Sequence, residues 1–289
     1  MVRFKRNPKG PGQVIDRRGA GGSGGLVKLG AGGGGVALIV VLLLSLFGGG
    51  SDFGPLLDSL APAGQVSQSE APIDPENDPD ADLVGFLEDV LADSQGMWVR
   101  VFDDAGLEYR PTNLVLFNGF TQSQCGGAQA QSGPHYCPID EQVYIDLDFL
   151  ELLQRQFGAA GDTAQAYILA HEVAHHVQNQ LGIIEEVNRL RQSDPGRAND
   201  LSISLELQAD CFAGVWLSTL RDGSSAAILE ANDLQEALNA AAAVGDDAIQ
   251  EQTTGRVNPE TWTHGTSEQR LQWLETGFET GEPDACNTF

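Results

Sequence analysis

The sequence predicts an α+β domain that is mostly helical, with a small antiparallel sheet placed ahead of its longest helices. Three observations support this class. Apolar residues recur at 83, 86, 87, 90 and 91, a three-and-four spacing that keeps them on one helical face. Short β-branched and aromatic runs follow at Trp98–Phe102, Asn113–Phe117 and Val143–Leu147, set apart by Asp-Asp-Ala-Gly, Arg-Pro and a Gly/Gln/Pro loop. Beyond residue 163 the pattern is helical almost to the end, so sheet and helices are segregated along the chain.

In chain order, residues 1–28 are basic and Gly-rich, without apolar periodicity, and read as a disordered cytoplasmic tail. Residues 29–47 carry no charge, and the second half, from Val36 to Phe47, is strongly apolar. Nineteen residues at about 1.5 Å each approach the hydrocarbon thickness, so this stretch is expected to be a transmembrane anchor. All nearby Lys and Arg precede it, which by the positive-inside rule makes a single-pass protein of the cell membrane with everything after Gly48 extracytoplasmic. A cleaved signal peptide is the rival, but 28 residues make a long basic region for one. Residues 48–80, rich in Gly, Pro, Ser, Gln and Asp, cannot bury a core and form a flexible acidic linker. The globular domain spans 81–289, its first helix beginning near Asp82.

Within that domain, helices are expected at Phe149–Phe157 and at Thr163–Leu181, the latter capped by Asp162 or Thr163 and stopped by Gly182. Another runs from about Asp200 to Leu220. Residues 226–244 are Ala/Leu-rich and helical, Asp246–Gln252 form a short helix, and Thr266 or Ser267 caps a last one over Glu268–Thr276.

Composition narrows the function. Residues 1–47 hold seven Lys/Arg and one acid; of the chain's 16 basic and 41 acidic residues this leaves 9 and 40, a formal charge of −31 beyond residue 47. Such a domain repels nucleic acid, so a nucleic-acid partner is excluded. The four cysteines allow three pairings. Cys125 and Cys137 bracket a loop without metal spacing, which favours a disulfide there, and a second bridge from Cys211 to Cys286 would tie the tail to a helix. Disulfides place the domain in an oxidising compartment.

The chemistry is concentrated in His171-Glu172-Val173-Ala174-His175, an H-E-x-x-H on a helix. At about 100° per residue the two imidazoles lie about 40° apart on one face, able to share a metal, while His176 lies about 140° away. Ile168 and Gln178 share that face. Zinc sites that do chemistry take three protein ligands and leave a position open. Glu206, on the next long helix, is the candidate third ligand, and Asp210, one turn on, is placed to accept the free N–H of a ligating imidazole. Glu172 beside the metal face is the candidate general base. Two functions use such a centre: a zinc-dependent endopeptidase, or a non-enzymatic zinc-stabilised envelope module that binds a partner. The intact Glu172 favours the first.

These stretches give the chain a resemblance. Leu-Val-Leu-Phe at 114–117, Gly-Pro-His-Tyr-Cys-Pro at 133–138, Val-Tyr-Ile-Asp-Leu at 143–147, His-Glu-Val-Ala-His-His-Val-Gln at 171–178, Glu-Leu-Gln-Ala-Asp-Cys-Phe-Ala-Gly at 206–214, Gly-Asp-Asp at 245–247 and Thr-His-Gly-Thr-Ser-Glu-Gln-Arg at 263–270 resemble the bacterial neutral zinc metallopeptidases, membrane-anchored proteins with a gluzincin-like site. The resemblance implies one zinc per chain held by His171, His175 and Glu206, a protein or peptide substrate, and Glu172 as general base. It also points to His264 as a partner of the oxyanion, with Arg270 as a supporting charge. Gly245-Asp-Asp247 reads as a helix cap, His135 and His176 as packing or surface groups, and Trp216, Trp262 and Trp273 as core contacts.

Overall fold

The computed structural model describes residues 3–4, 10–19, 73, 77–129, 133–157, 161–221, 227–230 and 232–289. The stretch 29–47 expected to be an anchor, and most of the linker, lie outside the described residues. Among the described residues no helix is long and apolar enough to cross a membrane. The strands are β1 (Arg3–Phe4), β2 (Val14–Asp16), β3 (Asn113–Phe117), β4 (Phe120–Ser123), β5 (Gly126–Gln129), β6 (His135–Cys137), β7 (Gln142–Asp146) and β8 (Ala227–Ile228). The helices are α1 (Ala81–Asp104), α2 (Leu147–Phe157), α3 (Asp162–Gln180), α4 (Ile183–Ser193), α5 (Ala198–Arg221), α6 (Asp233–Ala243), α7 (Asp246–Thr254) and α8 (Ser267–Thr280). The domain is mostly helical with a small sheet, as expected.

The sheet itself corrects the sequence reading in three ways. Its four strands run in the order β2-β3-β7-β6, with β2, β3 and β7 parallel and only β6 antiparallel, so it is mixed and not antiparallel. Asn113–Phe117 and Gln142–Asp146 are buried almost throughout, the apolar run of strands covered on both faces, and the β4–β5 hairpin and β6 lie in the connection between them. Trp98–Phe102 is not a strand but the last part of α1. The buried positions Leu87, Val90, Leu91, Ser94, Met97, Trp98 and Phe102 continue one helical stripe, and Trp98 packs edge-to-face on Phe212 at 5.1 Å. Tertiary burial outweighs local β propensity there. Finally, the basic tail is not wholly disordered: Val14–Asp16 pairs in register with Leu114–Leu116.

Smaller differences have local causes. Gly161, with φ of 112°, occupies the N-cap of α3, leaving Asp162 in the first turn, where a negative charge faces the positive end of the helix dipole. Gly182 stops that helix in the left-handed region, φ 74°. Helix α4 has no counterpart in the sequence reading, although Ile183, Ile184, Val187 and Leu190 give it a narrow apolar stripe; Val187 is its one buried residue. The Ala-rich helix starts at Asp233, since Ala227–Ile228 pairs with Arg3–Phe4.

What positions the site is the packing of α3, α5 and α8. At the crossing of α5 and α8 a Cβ on Gly214 would fall 2.1 Å from the Leu274 carbonyl oxygen, and one on Gly277 1.9 Å from that of Cys211. Only glycine permits so close a backbone approach. It brings the first turn of α8, with Arg270, against the middle of α5, with Asp210. The Cys211–Cys286 disulfide ties the C-terminus to the same helix, and Cys125–Cys137 ties the β4–β5 turn to the end of β6, both as expected.

Candidate metal centre

Helix α3 carries His171, Glu172 and His175; α5 carries Glu206 and Asp210. The imidazoles of His171 and His175 meet edge-on with centroids 4.8 Å apart. His171 Nε2 lies 3.1 Å from Glu206 Oε2 and His175 Nε2 3.5 Å from Glu206 Oε1. One ligand atom from each of the three residues lies within 4.8 Å of the other two. Zinc–ligand bonds of about 2.0–2.1 Å set tetrahedral edges of about 3.3 Å, so these separations suit one ion.

The tautomers point the same way. His171 Nδ1 donates to Asp210 Oδ1 at 2.8 Å, and His175 Nδ1 donates to Gln178 Oε1 at 2.8 Å. With both Nδ1 protons committed, the two Nε2 lone pairs face a carboxylate, an all-acceptor cluster that needs a cation in its midst. Protons fill that need without a metal. Burial lowers the His171 pKa, but Asp210 and Glu206 outweigh it and push it up to about 10. His175 is likewise raised, burial being overcome by Glu206. Glu206 is held well below the usual carboxylate range by His175 and His264 against its own burial.

Behind the ligands stands a buried network. Asp210, fully buried, accepts from His171, from the Tyr167 hydroxyl at 2.6 Å, and from Arg270 through Nε at 2.8 Å and Nη2 at 2.9 Å. Arg270 also donates to the Val244 carbonyl at 3.1 Å. Arg270, named in the sequence as a supporting charge, is buried and clamps Asp210 bidentately. Gln178 donates to the Leu205 carbonyl and to Gln208 Oε1, and Gln208 to the Cys286 carbonyl, so the disulfide-tethered tail backs the second imidazole. Glu172 is 7 % exposed and lies close enough for its charge to favour protonation of His175.

His264 sits in the turn before α8, in electrostatic range of Glu206. That turn is fixed by Asp246, whose Oδ2 accepts the backbone N–H groups of Thr263, His264 and Gly265 at 2.7, 2.7 and 3.1 Å. The other oxygen of Asp246 lies 3.4 Å from His264 Nδ1. Asp247 accepts from Ser267 in the same way. Gly245-Asp-Asp247 thus caps less its own helix than the neighbouring turn. Tyr167 went unread in the sequence, though it carried a usable signal, lying one turn before His171 on its face. Asp246 was read only as part of a helix cap, because the backbone amides it holds leave no side-chain pattern. His176 faces away, accepting from the Tyr136 hydroxyl and donating to the Arg110 carbonyl. His135 stacks on Tyr144. Trp216 is in the core, while Trp273 only flanks it and Trp262 is half-buried.

The family model described as "Putative neutral zinc metallopeptidase" matches residues 3–289. The chain is 44% identical over 240 residues to the uncharacterized protein YpfJ of Escherichia coli K12, covering 82% of each. It is 47% identical over 189 residues to the uncharacterized protein Rv2575 of Mycobacterium tuberculosis H37Rv, covering 63% of each. No solved structure matches.

Proposed function

From the premise that the chain belongs to this zinc metallopeptidase family, we propose that it is a zinc-dependent endopeptidase acting on protein or peptide substrates. The observation that carries the reading is the convergence of His171, His175 and Glu206 on one point, with Glu172 beside them on α3. The three would hold one zinc ion, which when bound lowers the pKa of a water ligand and polarises a carbonyl oxygen.

Every other part belongs to the chain. Asp210 and Gln178 fix the imidazole tautomers so that both Nε2 atoms point at the centre. Glu172 takes the proton of the attacking water as it adds to the scissile carbonyl, then passes it to the departing amine as the C–N bond breaks. To His264 we assign the hydrogen bond to the oxygen that gains charge at that step, a role its electrostatic reach to Glu206 supports. The alternative, a non-enzymatic zinc module, leaves Glu172 beside the metal set without a role.

The test is Glu172→Gln. It should retain about one zinc per chain and lose peptide hydrolysis, measured on the full chain with a peptide library. Hydrolysis at the wild-type rate would remove Glu172 as base; loss of zinc from the unmutated chain on mild purification would remove the metal.

A further inference from the structure

Beyond α8 the C-terminal tail turns at Gly281, with φ of 65°, and runs back along α5. It is fastened to that helix repeatedly. A Cβ on Gly281 would lie 2.9 Å from Ser218 Oγ, Cys286 is bonded to Cys211, and Thr288 Oγ1 donates to the Ser204 carbonyl at 2.6 Å. Between the last two, Gln208 Nε2 donates to the Cys286 carbonyl at 3.1 Å. At about 100° per residue, positions 204, 208, 211 and 218 share one face of α5, so the tail lies antiparallel along that face.

From Gln208 a relay of amides leads to the metal centre. Gln178 Nε2 donates to Gln208 Oε1 at 3.0 Å and to the Leu205 carbonyl at 2.8 Å, and Gln178 Oε1 accepts from His175 Nδ1 at 2.8 Å. Each link runs in one direction only. A main-chain carbonyl can only accept, so the Cys286 carbonyl draws the Gln208 nitrogen to the tail and leaves its oxygen facing Gln178. The Gln178 nitrogen must then donate, its oxygen must face His175, and the imidazole proton is held on Nδ1 with the Nε2 lone pair left for the centre. The Leu205 carbonyl aims Gln178 the same way. What the tail adds is an acceptor for the second amide proton of Gln178, and a reversed Gln208 would set nitrogen against nitrogen. Gln178 is fully buried and Gln208 is 6 % exposed, so water does not replace a lost partner, and an amide left unsatisfied there is costly.

We propose that Gln208 and the disulfide-tethered tail are positioning elements of the metal centre: acting through Gln178, they hold His175 with Nε2 towards the ion and so tighten zinc binding. The proposal rests on the reading that His171, His175 and Glu206 hold zinc. It is independent of whether the centre hydrolyses peptides.

The experiment uses the full chain loaded with zinc. Gln208→Met keeps a side chain of similar length and removes both links; Cys211→Ala combined with Cys286→Ala keeps both amides and frees the tail. In competition with a chromogenic chelator, Gln208→Met should bind zinc about tenfold more weakly, the low end of what groups behind a metal ligand contribute, and the double variant should lose less in the same direction. A loss below about twofold in Gln208→Met overturns the proposal, and an unchanged affinity in the double variant overturns the part given to the tail. Exchange of the imidazole Nδ1 protons, followed by NMR on the histidine-labelled chain, separates positioning from a general loss of stability. In Gln208→Met the His175 proton should exchange about tenfold faster while that of His171, held by Asp210, keeps its rate. Equal changes at both imidazoles, or none, overturn the proposal. A wild-type chain that takes up no zinc sinks the metal reading itself, and this proposal with it.

Discussion

Asp210 and Asp146 are both fully buried carboxylates, and their acidities are opposite. Burial pushes Asp210 up, yet the charges of Arg270 and His171 overcome it and hold its pKa at about 2. Burial pushes Asp146 up to about 6, because its main counterweights are backbone N–H groups, from Gly119 at 2.8 Å and Asp148 at 2.9 Å, and the nearby charge of Asp148 works against them. Depth alone does not set the charge of a carboxylate; the charge of what faces it does. The difference matches what each one does. Asp210 stays ionised at any pH near neutrality and can orient His171 continuously. Asp146 joins the end of β7 to the β3–β4 turn and the first turn of α2, a structural task that a carboxylic acid also performs.

The largest break in this contrast is Arg270→Met, which leaves Asp210 with partners more like those of Asp146. Removing one side of a buried ion pair costs about 3–5 kcal/mol, so urea unfolding should show a loss of that size. Arg270→Lys should recover little of it, because a point charge cannot bind both carboxylate oxygens and the Val244 carbonyl as the planar fork does. A loss under 1 kcal/mol would mean that Asp210 does not depend on this cation.

Next in size is the pH dependence of Asp146. Its folded pKa of about 6 lies above the ordinary 3.8, so the folded chain binds the proton more tightly than the unfolded one. The resulting stabilisation is complete below 3.8 and is lost as pH rises through 6, a total of about 3 kcal/mol. Asp146→Asn does not titrate. The wild type should therefore gain about 2 kcal/mol relative to Asp146→Asn between pH 7 and pH 4, most of that total. A difference that stays constant over that range would show that Asp146 is ionised throughout.

The same contrast explains what could be read in the sequence. Asp210 was legible because it lies one turn after Glu206 on a helix whose periodicity is plain; its role follows from spacing. Asp146 looked like an ordinary strand position in Val-Tyr-Ile-Asp-Leu, since its partners are backbone amides of a turn that no side-chain pattern encodes. Arg18 illustrates the third case. Its partners Asp78 and Asp80 lie 60 and 62 residues away, across a stretch whose composition argues for separation, and nothing local marks the pairing. The metal face was visible from five residues, the helices from their periods. The parallel pairing of β3 and β7 was not, because it depends on how a connection crosses over, and the helical end of α1 was hidden because Trp98, Val99, Val101 and Phe102 suit a strand equally well until Phe212 packs against Trp98.

Tyr167 tests how finely Asp210 is held. Its hydroxyl donates to Asp210 Oδ1 at 2.6 Å and lies 3.2 Å from Arg270 Nη2, so it bridges the carboxylate and its cation. Tyr167→Phe deletes one donor and leaves the ion pair and the His171 bond in place. A hydrogen bond to a charged group is worth about 1.5–3 kcal/mol, and the arrangement that remains should keep the loss at the lower end of that range. Zinc affinity should fall less than tenfold, against about 10–100-fold for Asp210→Asn, both measured by competition with a chromogenic chelator. If Tyr167→Phe weakened zinc as much as Asp210→Asn, the ionised state of Asp210 would not be enough to orient His171, and the hydroxyl would be the group that fixes which carboxylate oxygen the imidazole meets.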